Sequence, residues 1–260
     1  MACIDLLLKI GAEGVFVTEQ EQNKVAMLVV AHADDAEFDG AGTAALWARE
    51  GWDVYFVICA DGGSGGSDSA TDVGPAARQQ IVETRMQEQR AAGRILGLKD
   101  VFFLGYPDGQ LQPSLELRRD LVRLFRRYRP SRVICQSPDR AWTPSLNLYR
   151  YHSDHLTAGR ATLEAIYPAT QNPWDFPELL AEGLKPHTVS EIYITVPPVV
   201  NHAIDITSTM DLKVAALRAH VSQVGHEINE LEQLIRSIDS EAGKRHGFTY
   251  AEEFHYVKHG

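Results

Sequence analysis

Cysteine is scarce in this sequence, and basic residues are outnumbered by acidic ones. The three cysteines, Cys3, Cys59 and Cys135, form no C-x-x-C pair. A small, odd count of this kind argues against a disulfide scaffold and fits a reducing compartment. The 25 Lys and Arg residues face 35 Asp and Glu residues, which gives a formal net charge of −10. Such an acidic balance argues against a general nucleic-acid binder.

The sequence also has little that would direct the chain to a membrane. Its amino terminus carries Asp5 and no basic residue before a run of three leucines, which is unlike a secretory signal. No apolar stretch approaches the ~20 residues that span a bilayer. We therefore expect a cytoplasmic protein whose partners include neither a membrane nor a nucleic acid.

Apolar runs alternate with helical segments over the first half of the chain. Four apolar runs predict buried strands at 25–31, 54–60, 101–104 and 132–136. Helices are predicted between them, at about 40–50, 75–96 and 114–128. This alternation predicts an α/β fold, a Rossmann-like αβα arrangement of three layers with a mostly parallel sheet. We expect the site at the carboxyl ends of the strands, where such sheets bind their ligands.

The pattern loosens after residue 136. We expect a long connection, a helix, a strand and two late helices at 137–151, 154–166, 191–196 and 210–242. Four prolines between 168 and 186 indicate a loop rather than a domain boundary, and we find no internal repeat. We therefore predict one domain over residues 1–260, with an N-terminal extension at 1–24 and the helices of 210–242 packed on it.

Three polar residues follow the first predicted strand. His32, Asp34 and Asp35 come where that strand ends, at the edge at which a parallel sheet binds its ligands. Alternatively, one of the two carboxylates caps the next helix and His32 is an ordinary loop histidine. Three polar groups together at the end of a buried strand favour a functional site.

A second polar cluster follows the loop that leaves the fourth strand. His152 and His155 are three residues apart, so at the start of a helix they can share one face. The alternative is that Ser153 caps this helix and the histidines are incidental. Because the cluster follows a strand end, we expect it at the same edge of the sheet as the first cluster.

Binding of a single metal ion would explain why both polar clusters lie at the same edge of the sheet. Two imidazoles, one carboxylate and an open position make the three-ligand pattern of a catalytic zinc site. A further carboxylate can act as a general base, and a further histidine can stabilise an oxyanion. The spacing of Asp34 and Asp35 does not decide which of the two would be the ligand.

The two clusters resemble the A-H-P-D-D and H-x-D-H signatures of the PIG-L/LmbE-like family of zinc-dependent N-deacetylases. The resemblance extends to an R-x-x-E helix, a loop after the third strand and a late K-x-x-A-L-x-x-H-x-S-Q helix, at 85–88, 104–109 and 213–223. It covers most of the chain from about Val25. The sequence departs from the family pattern at Ala33, where proline is usual, and at Ala36, where many members have glutamate, although Glu37 follows. The interrupted glycine pair at 40–42 is a third departure.

The resemblance implies a role for each polar residue of the two clusters and for two residues elsewhere. It implies His32, Asp35 and His155 as zinc ligands, Asp34 as general base, His152 as electrophile or acid, Asp154 as the orienting partner of His152, and Arg85 and Asp108 as ligands of sugar hydroxyls. For the last two residues, a surface salt bridge and a turn aspartate are the simpler alternatives.

The activity that the resemblance implies is removal of an acetyl group from an N-acetylated amino sugar, such as N-acetylglucosamine, chitobiose or a GlcNAc conjugate. It also implies a homo-oligomer, a trimer or hexamer. A non-haem iron oxygenase could use the same two histidines and one carboxylate, and a non-catalytic sugar-binding protein is a further alternative. A dinucleotide-binding loop is poorly supported, because the third glycine expected after Gly63 and Gly65 is Asp68.

Overall fold

The computed structural model describes residues Asn23 to His259, so the predicted extension at 1–24 lies almost wholly outside the described residues. Seven strands are present in this range: β1 (Val25–Val30), β2 (Asp53–Ala60), β3 (Asp100–Tyr106), β4 (Arg132–Gln136), β5 (Glu191–Thr195), β6 (His202–Asp205) and β7 (Ala251–Lys258). Nine α-helices accompany them in the described range: α1 (Asp35–Asp39), α2 (Ala41–Arg49), α3 (Pro75–Leu96), α4 (Leu115–Tyr128), α5 (Ser153–Glu164), α6 (Pro177–Ala181), α7 (Met210–Leu217), α8 (Val221–Val224) and α9 (Ile228–His246).

The strands form one sheet in the order β3-β2-β1-β4-β5-β7-β6. All pairs from β3 to β5 are parallel, whereas β7 runs antiparallel to both of its neighbours. The predicted α/β fold with a mostly parallel sheet is confirmed. The chain leaves β1 towards β2 and β3 on one side and later returns to β4 and β5 on the other, so the strand order reverses between β1 and β4. In open α/β sheets the ligand crevice lies at such a point.

Both faces of the sheet are covered by apolar side chains. All six residues of β1 are buried. Met27 and Val29 belong to a core shared with α4 and α5, whereas Ala26 and Leu28 belong to a second core shared with α2, α3 and α7. Burial on both faces explains why β1 is a continuous apolar run rather than an alternating one. Helices therefore cover both faces of the sheet, which gives a three-layer αβα arrangement.

The structure places the short helix α6 within the stretch expected to be a loop, and it divides two of the predicted helical segments. The helix predicted at about 40–50 is preceded by a separate short helix, α1, and Gly40 lies between the two. A Cβ added at Gly40 would lie 3.0 Å from the Leu28 side chain, a tight contact that a small shift of Leu28 would have to relieve. The two helices predicted within 210–242 are three, since the chain turns at 218–220 and again at 225–227.

The antiparallel edge formed by β6 and β7 was not predicted. Strand β7 carries charged residues on both faces, including the buried Glu252, so its sequence lacks a clear apolar pattern. The late helices pack on the sheet and its inner helices: α7 contacts α2 and α3, and α9 contacts β6 and β7. Within the described part of the chain, none of the helices combines the length and the apolar character needed to cross a bilayer.

Candidate active site

The first polar cluster lies directly after β1, beside the point where the strand order reverses. His32 and Asp35 are buried, with 7% and 9% of their surface exposed. The backbone N–H of His32 donates to Asp35 Oδ2 at 2.8 Å, which closes a tight turn. Within this turn Asp34 adopts a left-handed conformation, with φ 85° and ψ −29°. Aspartate enters this region more readily than most residues that carry a side chain.

The second cluster is brought to the same place by the amino terminus of α5. His152 is the N-cap residue, and its Nδ1 accepts the backbone N–H of Asp154 at 3.2 Å. The cap is therefore His152 rather than Ser153. The ring of His152 lies 4.8 Å, centroid to centroid, from both His32 and His155. The two clusters, more than 100 residues apart in sequence, thus meet at one edge of the sheet.

The donor groups of His32, Asp35 and His155 form a compact triangle, to which Asp35 contributes both of its carboxylate oxygens. His32 Nδ1 lies 3.3 Å from His155 Nε2 and 3.5 Å from Asp35 Oδ2, and His155 Nε2 lies 3.2 Å from Asp35 Oδ1. Ligands bound at 2.0–2.2 Å around a tetrahedral zinc ion are about 3.3–3.6 Å apart, so the triangle fits such an ion. Asp35, and not Asp34, is the carboxylate that lies beside both imidazoles.

The opposite nitrogen of His32 is held by two carboxylates. His32 Nε2 lies 3.0 Å from Asp108 Oδ1 and 3.2 Å from Asp154 Oδ2. A histidine that binds a metal through one nitrogen commonly donates from the other to a carboxylate. These atoms are themselves close enough to hold an ion. However, the Asp154 carboxylate already accepts the N–H groups of Gly109 and Leu111, at 2.8 and 3.2 Å. That carboxylate therefore holds the loop at 109–111 as well as His32, and His32, His152 and His155 form a further group of donor atoms close enough to hold an ion.

The acidic surroundings favour a cation at His32. Burial alone would lower the pKa of His32, but hydrogen bonds with Asp108, Asp154 and Asp35 outweigh it and raise that pKa to about 12. Burial would likewise raise the pKa of Asp35, but the bonds with His155 and His32 hold it well below its ordinary value. Asp35 is thus ionised, as a metal ligand must be, and a divalent ion at the triangle would replace the proton on His32.

Asp34 stands beside the triangle in a different environment. Its Oδ2 lies 3.4 Å from an Nη of Arg85, and its backbone N–H donates to Gln89 Oε1 at 3.0 Å. Burial raises the pKa of Asp34 to about 7; Arg85 opposes the rise and the charge of Asp35 adds to it. A carboxylate with a pKa near neutrality, close to a metal site, is suited to general-base chemistry.

The structure corrects the expected partner of Asp154. Its carboxylate faces His32 and does not orient the His152 ring, which is held instead by the Asp154 backbone N–H. Burial lowers the pKa of His152, and His32 and His155 lower it further. A neutral His152 whose Nδ1 accepts a hydrogen bond carries its own proton on Nε2.

Arg85 and Asp108 both lie at the site, but their visible bonds are to the protein. Arg85 is only 5% exposed, which excludes the surface salt bridge, and it donates to the carbonyls of Ala33 and Gly62 at 2.7 and 3.3 Å. Asp108 Oδ2 accepts the N–H of Ser64 at 3.0 Å. Their contact with sugar hydroxyls stays a prediction.

Sequence reasoning missed Gln89 and Gln136, and it assigned no role to Glu37 or to His220, the histidine of the late K-x-x-A-L-x-x-H-x-S-Q motif. Gln136 ends the otherwise apolar strand β4, and a polar residue there is a signal that could have been used. Its side chain donates to Asp35 Oδ2 at 3.1 Å and accepts from the Ala31 N–H at 3.0 Å.

A cavity of about 520 Å³ opens from the donor triangle towards α9 and β7. Asp35 and His155 line one end, and the wall combines apolar residues such as Val196 with charged residues such as Arg140. Its volume is within the range of small-molecule sites. Neither Arg85 nor Asp108 is among the lining residues.

The fold places imidazole and carboxylate donors at the reversal point of the sheet, an arrangement suited to metal-assisted hydrolysis. The model of the family described as GlcNAc-PI de-N-acetylase, or PIG-L, matches residues 27–166, more than half of the chain. The chain belongs to this family, and with it to the N-deacetylases.

Individual relatives agree with this family. The chain is 31% identical over 237 residues to the diacetylchitobiose deacetylase of Thermococcus kodakarensis, covering 90% of this chain and 83% of the relative. It is 28% identical over 209 residues to a probable N-acetyl-α-D-glucosaminyl L-malate deacetylase of Bacillus anthracis, covering 80% and 84%. The solved structure of N,N′-diacetylchitobiose deacetylase from Pyrococcus horikoshii superposes with a TM-score of 0.80 at 29% identity, covering 90% and 84%.

Proposed function

We propose that this protein is a zinc-dependent hydrolase that removes the acetyl group from an N-acetylated glucosamine unit. One observation carries the proposal: the donor groups of three residues lie 3.2–3.5 Å apart, and Asp34, with a pKa near 7, lies beside them. The donor set of two imidazoles and one carboxylate suits zinc and leaves a position for water or substrate. His32, Asp35 and His155 are the proposed ligands.

The substrate class rests on what the two deacetylase relatives share. One is named for diacetylchitobiose and another for GlcNAc linked to malate, so the N-acetylglucosamine unit is common and the attached group varies. The cavity of about 520 Å³ beside His155 has room for such an attached group. We therefore propose free N-acetylglucosamine, chitobiose or a GlcNAc conjugate as the substrate.

The reaction requires water to add to the acetamide carbon and the C–N bond to break. Zinc, when bound, supplies a Lewis acid that polarises the carbonyl and makes water acidic near neutral pH. Asp34 accepts a proton from the attacking water and, once protonated, can return it to the departing nitrogen. His152 donates its Nε2–H to the carbonyl oxygen as negative charge develops there. The products are acetate and the free amine.

Metal content and acetate release test this proposal together. Purified protein, before and after chelation, would be supplied with Zn²⁺ or Fe²⁺ and with N-acetylglucosamine or N,N′-diacetylchitobiose. The proposal predicts near-stoichiometric zinc and acetate release that chelation stops and zinc restores. Iron-dependent oxygen consumption would instead indicate the oxygenase, and sugar binding without acetate release would indicate a binding protein.

Two further proposals concern where the protein acts and how it assembles. Cys59 and Cys135 are free, buried thiols, which supports a reducing, cytoplasmic location. A homo-oligomer, a trimer or hexamer, is proposed from family resemblance alone. Light scattering coupled to size-exclusion chromatography would give the mass directly, and a monomer of 28.9 kDa would contradict it.

A further inference from the structure

Three polar side chains form a series of contacts that starts at Asp34 and includes no atom of the donor triangle. Glu37, Gln89 and His220 come from α1, from α3 and from the residue before α8, and each is 0% exposed. Burying polar groups of this kind is costly unless they are bonded to one another. Apolar residues would be sufficient for core packing at these positions, so three buried polar residues indicate a specific role.

Gln89 links the general base to the other two residues. Its Oε1 accepts the backbone N–H of Asp34 at 3.0 Å, and its Nε2 donates to Glu37 Oε1 at 2.9 Å. Because both ends of the amide are engaged, the carboxylate of Glu37 fixes which end of Gln89 faces Asp34. Reversal of the amide would place an N–H group against the Asp34 N–H.

His220 lies against Glu37. Its Nε2 is 3.3 Å from Glu37 Oε2, an ion-pair contact that lacks hydrogen-bond geometry. Burial alone would lower the pKa of His220, but the pairing with Glu37 outweighs it and raises that pKa. The neighbouring α8 is held to α3 by Ser222, whose N–H and hydroxyl both donate to Glu88, at 2.8 and 2.6 Å. His220 is therefore placed against Glu37 by contacts independent of the metal site.

Asp34 needs such support because its backbone is strained. A left-handed conformation at a residue other than glycine costs free energy and persists only when its surroundings hold it. Gln89 holds the Asp34 N–H, and Arg85, one helical turn earlier on α3, holds the Ala33 carbonyl at 2.7 Å. Hydrogen bonds thus hold both the carbonyl oxygen and the N–H of the peptide group that joins Ala33 to Asp34.

We infer that Gln89, Glu37 and His220 form a positioning relay that holds Asp34 in its left-handed conformation and so aims its carboxylate at the attacking water. The catalytic part of this inference rests on the proposed deacetylation, whereas the conformational part does not. These residues touch neither the donor triangle nor the substrate cavity. They act through Asp34 alone.

The test compares variants that keep volume but change hydrogen bonding. Gln89→Met removes both bonds of the amide, and Glu37→Leu removes the acceptor that orients it. We expect each to lower kcat about 10–100-fold, with KM and zinc content unchanged. Glu37→Gln still accepts from Gln89 and can donate to a neutral His220, so it should restore most of the rate lost in Glu37→Leu. Gln79→Met, at an exposed position of the same helix, is the matched control.

Hydrogen exchange at the Asp34 amide, followed by NMR, tests the relay without requiring catalysis. We expect strong protection in the wild type and exchange at least about tenfold faster in Gln89→Met, but not in Gln79→Met. Unchanged exchange in Gln89→Met, or a rate loss explained by lost zinc, would overturn the relay. Absence of acetate release from zinc-loaded wild type, with exchange behaving as expected, would instead overturn the proposed function and leave the relay standing.

Discussion

Gln136 donates to Asp35 across the point where the strand order reverses. Its Nε2 lies 3.1 Å from Asp35 Oδ2, while its Oε1 accepts the N–H of Ala31, the residue after β1, at 3.0 Å. The end of β4 is thereby tied both to the end of β1 and to a proposed metal ligand. One amide thus couples the geometry of the sheet to the geometry of the site.

This coupling predicts a role for Gln136 in metal affinity. Gln136→Met keeps the volume but removes both bonds, so Asp35 loses a donor that orients its carboxylate. We expect zinc affinity to fall about 10–100-fold, measured by competition with a chromophoric chelator. Gln112→Met, at an exposed position, should bind zinc as the wild type does. Wild-type affinity in Gln136→Met would contradict this role.

His155 provides the most direct test of the ligand set. His155→Ala removes one corner of the triangle and leaves His32 and Asp35 as a two-donor remnant. We expect the purified variant to hold less than about a tenth of the zinc found in the wild type, by elemental analysis. His226→Ala changes an exposed histidine and should leave the zinc content unaltered. Full zinc occupancy in His155→Ala would show that the ion is held elsewhere.

A substitution at Arg85 distinguishes between two possible roles of this residue. If it chiefly holds the Ala33 carbonyl and pairs with Asp34, Arg85→Gln should lower kcat about 10–100-fold with little change in KM. If it chiefly binds sugar hydroxyls, KM should rise while kcat stays nearly constant. The short bond to Ala33 favours the first result. Steady-state kinetics with N,N′-diacetylchitobiose would distinguish them, with the exposed Arg94→Gln as control.

A buried charge cluster joins the late helices to the rest of the fold. Lys213 Nζ lies 2.8 Å from Asp239 Oδ2 and 2.9 Å from Glu252 Oε1. Glu252 also accepts the N–H groups of Gly42 and Thr43 at 2.9 and 2.8 Å. One ammonium therefore serves two carboxylates. Burial raises the pKa of Asp239 from 3.8 to about 6, with Lys213 opposing the rise and Glu252 adding to it.

The raised pKa of Asp239 predicts how stability changes with pH. Between pH 4 and pH 6 the folded protein retains a proton on Asp239 that the unfolded chain has released, so stability from this group falls as pH rises. The unfolding free energy of the wild type relative to Asp239→Asn should fall by up to about 3 kcal/mol between pH 4 and pH 7. Urea unfolding of both proteins would measure this difference, with the exposed Asp72→Asn as control. A difference that stays constant or grows with pH would contradict the assignment.

The parallel half of the sheet could be predicted because its signals are local. Apolar runs marked β1, β2 and β4, and Pro75 and Gly97 marked the ends of α3. The convergence of the two clusters also followed from the rule that parallel strands end at one edge. Strands β6 and β7 could not be predicted in this way, because their pairing depends on partners that are distant in sequence.

The supporting contacts of the site were beyond sequence reasoning for the same physical reason. Gln136 reaches Asp35 across 101 positions, and His220 reaches Glu37 from the far end of the chain. The family resemblance identified Asp154 as part of the site, yet only the folded chain shows that its carboxylate faces His32. Local patterns indicate which residues are functional, whereas tertiary contacts decide how each is held.

The central claim is that Asp34 acts as the base beside a bound zinc ion. Asp34→Asn keeps the size of the side chain but removes its ability to accept a proton. Zinc content and acetate release from N,N′-diacetylchitobiose, measured on wild type and Asp34→Asn side by side, test the claim most directly. We predict equal zinc in both proteins and a rate at least about 100-fold lower in the variant. A zinc-loaded Asp34→Asn protein that releases acetate at close to the wild-type rate would contradict the claim.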